Sequence, residues 1–156
     1  MTNFHLAQIN IGRIRAPLIT DPIMKDFVDQ LDTINALAEA SPGFVWRLQS
    51  DSGNATDILI YEDERILLNM SVWESVDALF NYAYASDHTD FFRRRGEWFE
   101  RMTTPHMALW WIPAGTLPTP HEGKHRIEYL TEHGPTPYAF TFKQRFPVPD
   151  QDALPK

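Results

Sequence analysis

The stretch Arg65–Ala83, RILLNMSVWESVDALFNYA, joins a strand pattern directly to a helix pattern. From Arg65 to Trp73 the side chains alternate with a period of two, and both resulting faces carry large apolar groups. One face holds Leu67, Asn69, Ser71 and Trp73, and the other holds Ile66, Leu68, Met70 and Val72. After Glu74 the apolar residues recur at helical spacing, at Val76, Leu79, Phe80 and Ala83. The stretch therefore predicts a strand buried on both sides that runs into an amphipathic helix.

The same two patterns recur along the rest of the chain. Further strands are predicted at Phe4–Ile14, Phe44–Gln49, His106–Ile112 and Tyr138–Phe146. A helix is predicted after the cap residue Asp21, and its apolar face consists of Phe27, Leu31, Ile34 and Ala38. Later helices are predicted from His88 to about Met102 and, more briefly, through Ile127 and Leu130 up to Gly134. This order predicts an α+β, ferredoxin-like core with an antiparallel sheet and an extra C-terminal helix and strand.

The tryptophans predict how the second face of the sheet is covered. Helices of such a core cover one face, yet the predicted strands are apolar on both. The exposed area of four tryptophans would be too large to leave in water: Trp46, Trp73, Trp110 and Trp111. We therefore expect a homodimer in which two sheets form a barrel, with a cavity in each protomer lined by aromatic rings and by Gln8, Asn10 or Asn69. Trp110 and Trp111 point to opposite faces, so at most one of them lines a cavity.

Length and composition limit the number of domains and the classes of partner and chemistry that remain open. The 156 residues predict one domain over residues 1–146, followed by a proline-containing tail over 147–156. A net charge of −7 without a basic stripe argues against nucleic acid as a partner. The absence of cysteine excludes disulfides, thiolate ligands and a cysteine nucleophile. No apolar run is long enough for a signal peptide or a membrane span, so we expect a cytoplasmic protein without membrane contact.

One motif points to metal chemistry. Residues His121-Glu122-Gly123-Lys124-His125 match the HExxH pattern, in which two histidines one helical turn apart bind zinc and the glutamate activates water. Pro120 directly precedes the motif, and Gly123 weakens the helix that the motif requires. We therefore interpret the match as chance, on a solvated helix, and expect no metal site.

Several long sequence segments, which are rich in tryptophan, resemble those of a known protein family. They are HLAQINIGRIRAP, SPGFVWRLQS, LLNMSVWESVDALFNYAYASDH, RRRGEWFE and ALWWIPAGTLPT. Together they resemble the bacterial family called domain of unknown function 3291, over nearly the whole chain up to Phe146. That family is similar to the dimeric α+β barrel proteins, which include antibiotic biosynthesis monooxygenases, haem-degrading monooxygenases and the more distant chlorite dismutases.

The resemblance implies candidate site residues. In the haem-degrading branch an asparagine on the first strand, an aromatic residue on the second helix and a nearby histidine serve the site. Their counterparts here are Asn10, Tyr82 and His88, of which Asn10 and His88 are the expected catalytic residues. The expected substrate-binding residues are Gln8, Asn69, Trp73, Tyr82, Trp98 and Trp111.

Three functions stay open at this point. The leading hypothesis is a cofactor-independent, monooxygenase-like oxidoreductase that acts on a small hydrophobic or aromatic molecule. The enzymatic alternative binds or uses haem through the imidazole of His88. The third is a non-catalytic dimer that binds a ligand or a partner. No Gly-rich phosphate loop and no GxSxG elbow is present in the sequence, so nothing in it favours a nucleotide cofactor.

Overall fold

The computed structural model describes residues 4–49, 60–85 and 93–149. Four strands form one antiparallel sheet in the order β2-β3-β1-β4. They are β1 (Phe4–Arg13), β2 (Phe44–Arg47), β3 (Ile66–Trp73) and β4 (Met107–Pro113). The two strands at the centre are β1 and β3, which are not consecutive in the chain. This order confirms the ferredoxin-like α+β fold that the sequence predicted.

The described helices are α1 (Lys25–Ala40), α2 (Val76–Ala85), α3 (Arg95–Trp98) and α4 (Pro120–His133). A single 3-10 turn, Pro22–Met24, leads into α1, and the side chain of Asp21 accepts a hydrogen bond from the Ile23 amide at its start. The predicted cap is thereby confirmed. None of the helices in these three ranges has the length and apolar character needed to cross a bilayer.

One face of the sheet is covered by α4. Ile127 and Leu130 of this helix pack in one buried cluster with Ile9 and Trp110, and Trp110 has no exposed surface. Gly123 permits the close approach, because a Cβ atom at this position would lie 2.7 Å from Cδ1 of Ile9. The apolar character of both faces predicts that another copy of the chain covers the second face. Since the chain's own helix lies on it, burial of Trp110 requires no partner, and the homodimer stays a prediction.

The other face is covered by α1, α2 and α3. At one end Leu6 and Trp73 pack against α1 and α2 together with Phe140. At the opposite end Leu67 packs with Trp98 and other buried residues, which include Ile14, Met24, Phe27 and Phe99. The two clusters are separate, so the sheet and the helices are held together at both ends. Between them the strands and helices enclose open space.

Two predicted elements are corrected by the structure. Tyr138–Phe146 is not a strand: Phe140 forms one isolated bridge with Leu109 of β4, through two backbone hydrogen bonds of 2.8 and 2.9 Å. The aromatic alternation of this segment comes from packing, since Phe140 is fully buried while its neighbours make no ladder.

The predicted helix up to Met102 also differs, because α3 ends at Trp98. Phe99 is extended and bridges to Ile14, just beyond β1. The Arg15 amide donates to the carbonyl of Trp98, and the Glu100 amide donates to the carbonyl of Arg13, both at 2.8 Å. These hydrogen bonds to the end of β1 replace the ones that a continued helix would have made.

Candidate functional site

A cavity of about 610 Å³ lies between the sheet and helices α1, α2 and α3. The predicted apolar face of α1 lines it, with Phe27, Leu31, Ile34 and Ala38. Its size is that of a site for a small organic molecule. Alternate residues of β1 and β3 form the floor, because side chains two apart on a strand point to the same face. The cavity therefore lies on the face of the sheet that α1, α2 and α3 cover, opposite the face that α4 covers.

Polar side chains from both central strands meet on this floor. Gln8 is opposite Ser71 in the register, and Asn10 is opposite Asn69. The Nε2 amide of Gln8 donates to Oδ1 of Asn69 at 2.7 Å and to Oγ of Ser71 at 2.8 Å. Gln8 is only 4 % exposed, so these hydrogen bonds hold its amide in one orientation. We call Gln8, Asn69 and Ser71 the polar cluster.

Aromatic side chains support the polar cluster from one end of the cavity. The indole Nε1 of Trp73 donates to the same Oγ of Ser71 at 2.8 Å. The Trp73 ring stacks on Tyr82, with centroids 5.1 Å apart and an interplanar angle of 28°. The Tyr82 hydroxyl donates to the carbonyl of Ile34 at 3.3 Å, which joins α2 to α1. Burial raises the pKa of Tyr82 to about 12, so its phenol is neutral at neutral pH.

Asn10 differs from its neighbours on the floor. Its side chain lines the cavity, and it has no hydrogen-bond partner in the part of the chain that the structure describes. An amide has two N–H donors and a carbonyl acceptor. Among the described floor residues, Asn10 is therefore the one whose full hydrogen-bonding capacity is available to a ligand in the cavity.

The opposite end of the cavity is cationic. Nη2 of Arg95 donates to the carbonyl of Ile11 at 3.3 Å, and the guanidinium carbon lies 4.9 Å from the centroid of the Phe99 ring. Gly12 makes room for both side chains, because a Cβ atom there would lie 2.6 Å from Cδ1 of Phe99 and 3.1 Å from Nη2 of Arg95. Burial lowers the pKa of Arg95, and no described carboxylate pairs with it. We call Gly12, Arg95 and His106 the Arg95 end.

His106 completes the Arg95 end. Its carbonyl accepts a hydrogen bond of 2.8 Å from the Ile11 amide, which places His106 beside the C-terminal end of β1. Burial by its neighbours and then the charge of Arg95 lower the pKa of the imidazole. The neutral ring at neutral pH can accept or donate a proton.

The structure brings together most of the residues proposed from the sequence. Gln8, Asn10, Asn69, Trp73, Tyr82 and Trp98 all line the cavity. Trp111 does not, because it faces the C-terminal segment, where its Nε1 donates to the carbonyl of Phe146 at 3.0 Å. His88 lies outside the described residues. The roles assigned to these residues stay predictions.

Sequence reasoning missed Arg95 and His106. The run Arg93-Arg94-Arg95 lies among acidic residues at helical spacing, a pattern that predicts a solvated helix face, whereas both Arg93 and Arg95 line the cavity. Arg94 between them fits that interpretation, since it pairs on the surface with Asp26 and Glu97. One signal was present in the sequence: helical spacing places Arg95 on the same side as Trp98 and Phe99.

Comparison with protein families decides the classification. The family model described as "Domain of unknown function (DUF3291)" matches residues 5–155. The chain belongs to the DUF3291 family. No curated protein matches it significantly.

Solved structures resemble this DUF3291 chain at low sequence identity. A conserved protein from Methanosarcina mazei Go1 is 12% identical, with a TM-score of 0.50 over 71% of this chain and 93% of that one. Rv0793 from Mycobacterium tuberculosis is 18% identical, with a TM-score of 0.44 over 74% and 98%. A Nitrosomonas europaea protein described as a "putative antibiotic biosynthesis monooxygenase" is 12% identical, with a TM-score of 0.46 over 76% and 96%. The likeness to the Methanosarcina protein supports the fold alone.

The HExxH residues of the DUF3291 chain lie on α4, away from the cavity. The Glu122 carboxylate pairs with Arg126 at 3.1 Å, and the His125 ring packs edge-on against Tyr138. Gly123 faces the sheet. Within residues 4–49, 60–85 and 93–149 no group of three or more His, Asp or Glu side chains is placed to hold a metal ion.

The positive charge of Arg95 near His106 gives a testable pH effect. We expect His106 to titrate below its ordinary value of 6.5, and Arg95→Met to raise its pKa because a neighbouring positive charge is removed. The unfolded chain takes up this proton more readily than the native one, so the free energy of unfolding decreases as the pH falls below 6.5. Titration of the imidazole protons by NMR measures both effects. An unchanged His106 pKa in Arg95→Met would show that the two charges do not interact.

Proposed function

We propose that this chain is a monooxygenase-like oxidoreductase, independent of an added cofactor, that oxidises a small hydrophobic or aromatic molecule in the cavity between sheet and helices. The observation that carries the proposal is the composition of this cavity: apolar helix walls face a floor whose polar groups are those of Gln8, Asn10, Asn69 and Ser71. Such a site desolvates an apolar substrate and orients it through a few hydrogen bonds. A cytoplasmic homodimer is part of the proposal, and the mass of the protein in solution tests the dimer.

In a reaction without a cofactor, the substrate itself must supply the electrons that reduce dioxygen. A substrate methylene group beside an electron-rich ring loses a proton and gives its electrons to dioxygen. Overall, the CH₂ group and O₂ become a carbonyl group and water, so the substrate supplies all four electrons. The apolar walls exclude water from the carbanion, and a nearby base such as the neutral imidazole of His106 takes the proton.

Asn10 is the residue to test first. Its amide N–H groups have no other described partner, and they can stabilise negative charge that develops on a substrate oxygen during deprotonation. We expect Asn10→Ala to lower kcat by about 100-fold, the usual effect of removing one such donor. Oxygen uptake with a panel of fused-ring phenols that contain a methylene group measures this change.

Asn81→Ala is the matched control, since Asn81 is exposed on α2 and does not line the cavity. Its kcat should equal that of the wild type. Thermal unfolding of both variants reports whether the fold is intact. Tight binding of panel members without any oxygen uptake would overturn the oxidase proposal and leave a ligand-binding protein.

A further inference from the structure

The charge of the cavity is opposite to that of the whole chain. The chain contains 21 acidic against 14 basic side chains. None of the described residues that line the cavity is acidic, whereas three are arginines: Arg47, Arg93 and Arg95. Arg47 has a carboxylate near it, with its Nε 3.5 Å from Oε2 of Glu39. The cavity is therefore a positive region within an acidic protein.

Among the described residues, no carboxylate pairs with Arg95. Its one described hydrogen bond goes to a backbone carbonyl, that of Ile11, and its guanidinium lies over the Phe99 ring. Arg95 is half-buried, and a cation that is partly withdrawn from water is less favourable without an anionic partner. The guanidinium also presents a planar set of N–H donors, which matches the two oxygens of a carboxylate. An anionic ligand would supply the missing partner.

The two ends of the cavity set the shape of such a ligand. The Arg95 end lies beside Gly12, and the polar cluster is centred on Gln8, four residues away on the same strand. Four residues of an antiparallel strand span about 13 Å. Asn10 lies between these ends, opposite Asn69 of the polar cluster. A ligand that reaches from one end to the other is elongated and apolar along its length.

We propose that the cavity binds an elongated aromatic carboxylic acid, with its carboxylate paired to Arg95 and its ring system extending over Asn10 towards the polar cluster. This inference rests on the proposed function in one respect, since it takes the same cavity as the substrate site. Beyond the proposed function, this inference specifies the charge, the orientation and the length of the substrate. Neutral aromatic molecules of the same shape should bind more weakly.

A purely structural role for Arg95 has a different consequence. In that role its hydrogen bond to Ile11 would tie α3 to β1, and loss of Arg95 would weaken every ligand equally. Discrimination between an acid and its amide does not follow from such a role. The experiment therefore compares para-biphenylcarboxylate with para-biphenylcarboxamide, which share one shape and differ in charge.

Isothermal titration calorimetry measures the Kd of both probes at neutral pH. We expect the wild-type protein to bind the acid about tenfold or more tightly than the amide, the usual gain from a hydrogen-bonded charge. Arg95→Met should abolish this preference while binding of the amide changes little. Arg101→Met is the control, because this substitution also removes one positive charge, while Arg101 is exposed and does not line the cavity.

A second variant keeps the test informative if Arg95→Met fails to fold. Arg95→Lys retains the charge without the planar donors, so it should keep only part of the preference for the acid. Equal Kd values for acid and amide in the wild-type protein, or no binding of either probe, would overturn the inference. Preference for the acid without oxygen uptake from any substrate would refute the proposed oxidation and leave this inference standing.

Discussion

Replacing Trp110 with alanine should lower the free energy of unfolding by about 3–5 kcal/mol, the usual cost of truncating a large buried aromatic side chain. Trp110 has no exposed surface and packs in the cluster that joins the sheet to α4. The Arg126 guanidinium lies 5.3 Å from the centroid of its ring, so this contact is lost as well. Urea unfolding followed by circular dichroism measures the change.

Two variants make this result specific. Trp110→Phe should cost much less, because it keeps most of the ring volume and removes an indole Nε1 that is buried without a described hydrogen-bond partner. Trp111→Ala should also cost less, since Trp111 is only half-buried on the opposite face. Equal losses for Trp110→Ala and Trp111→Ala would contradict the assignment of Trp110 to the deeper cluster.

Introducing a charge between α4 and the sheet should lower the free energy of unfolding by about as much as Trp110→Ala does. Ile127 is 5 % exposed and lies in the same cluster as Trp110. In Ile127→Asp a carboxylate without a partner would be buried against the sheet, which costs about 3–5 kcal/mol. We expect α4 to detach from the sheet before the remainder unfolds. Hydrogen exchange measures this as lost protection of the α4 amides while those of β1 stay protected.

The same variant tests what covers this face in solution. Glu128→Ala is the control, because Glu128 follows Ile127 on α4 and is exposed. If a second copy of the chain occupied the face instead of α4, Ile127 would lie outside the interface, and Ile127→Asp would change neither the free energy of unfolding nor the exchange of the α4 amides. That result would restore the sequence argument for a partner at this surface.

Much of the cavity floor could be predicted from strand periodicity. Gln8 and Asn10 are two residues apart on a strand, as are Asn69 and Ser71, so each pair must share a face. Both strands are apolar enough to be central, which favours pairing between them. The register that places Asn10 opposite Asn69 was not predictable, because it depends on contacts between residues 59 positions apart.

Long-range packing decided the rest of the site. Arg95 enters the cavity because β1 pairs with the chain after Trp98 and turns α3 towards the sheet. His106 reaches it through the pairing of β4 with β1. Neither pairing has a local signal, since the energy that selects it comes from burial of residues far apart in sequence. The predicted strand Tyr138–Phe146 was wrong for the same reason: its alternation was real, but no neighbouring strand pairs along its length.

By itself, the sequence determined the four strands of the sheet and the helices that follow β1 and β3, which of their side chains share a face, and that both faces of the sheet are buried. Local periodicity and capping decide these features, because they depend on residues within a few positions of one another. Only the tertiary structure decided that α4 covers one face and that the cavity lies under the other, with Arg95 at one end. Those outcomes depend on which apolar surfaces meet, and the compact packing of the whole chain selects them.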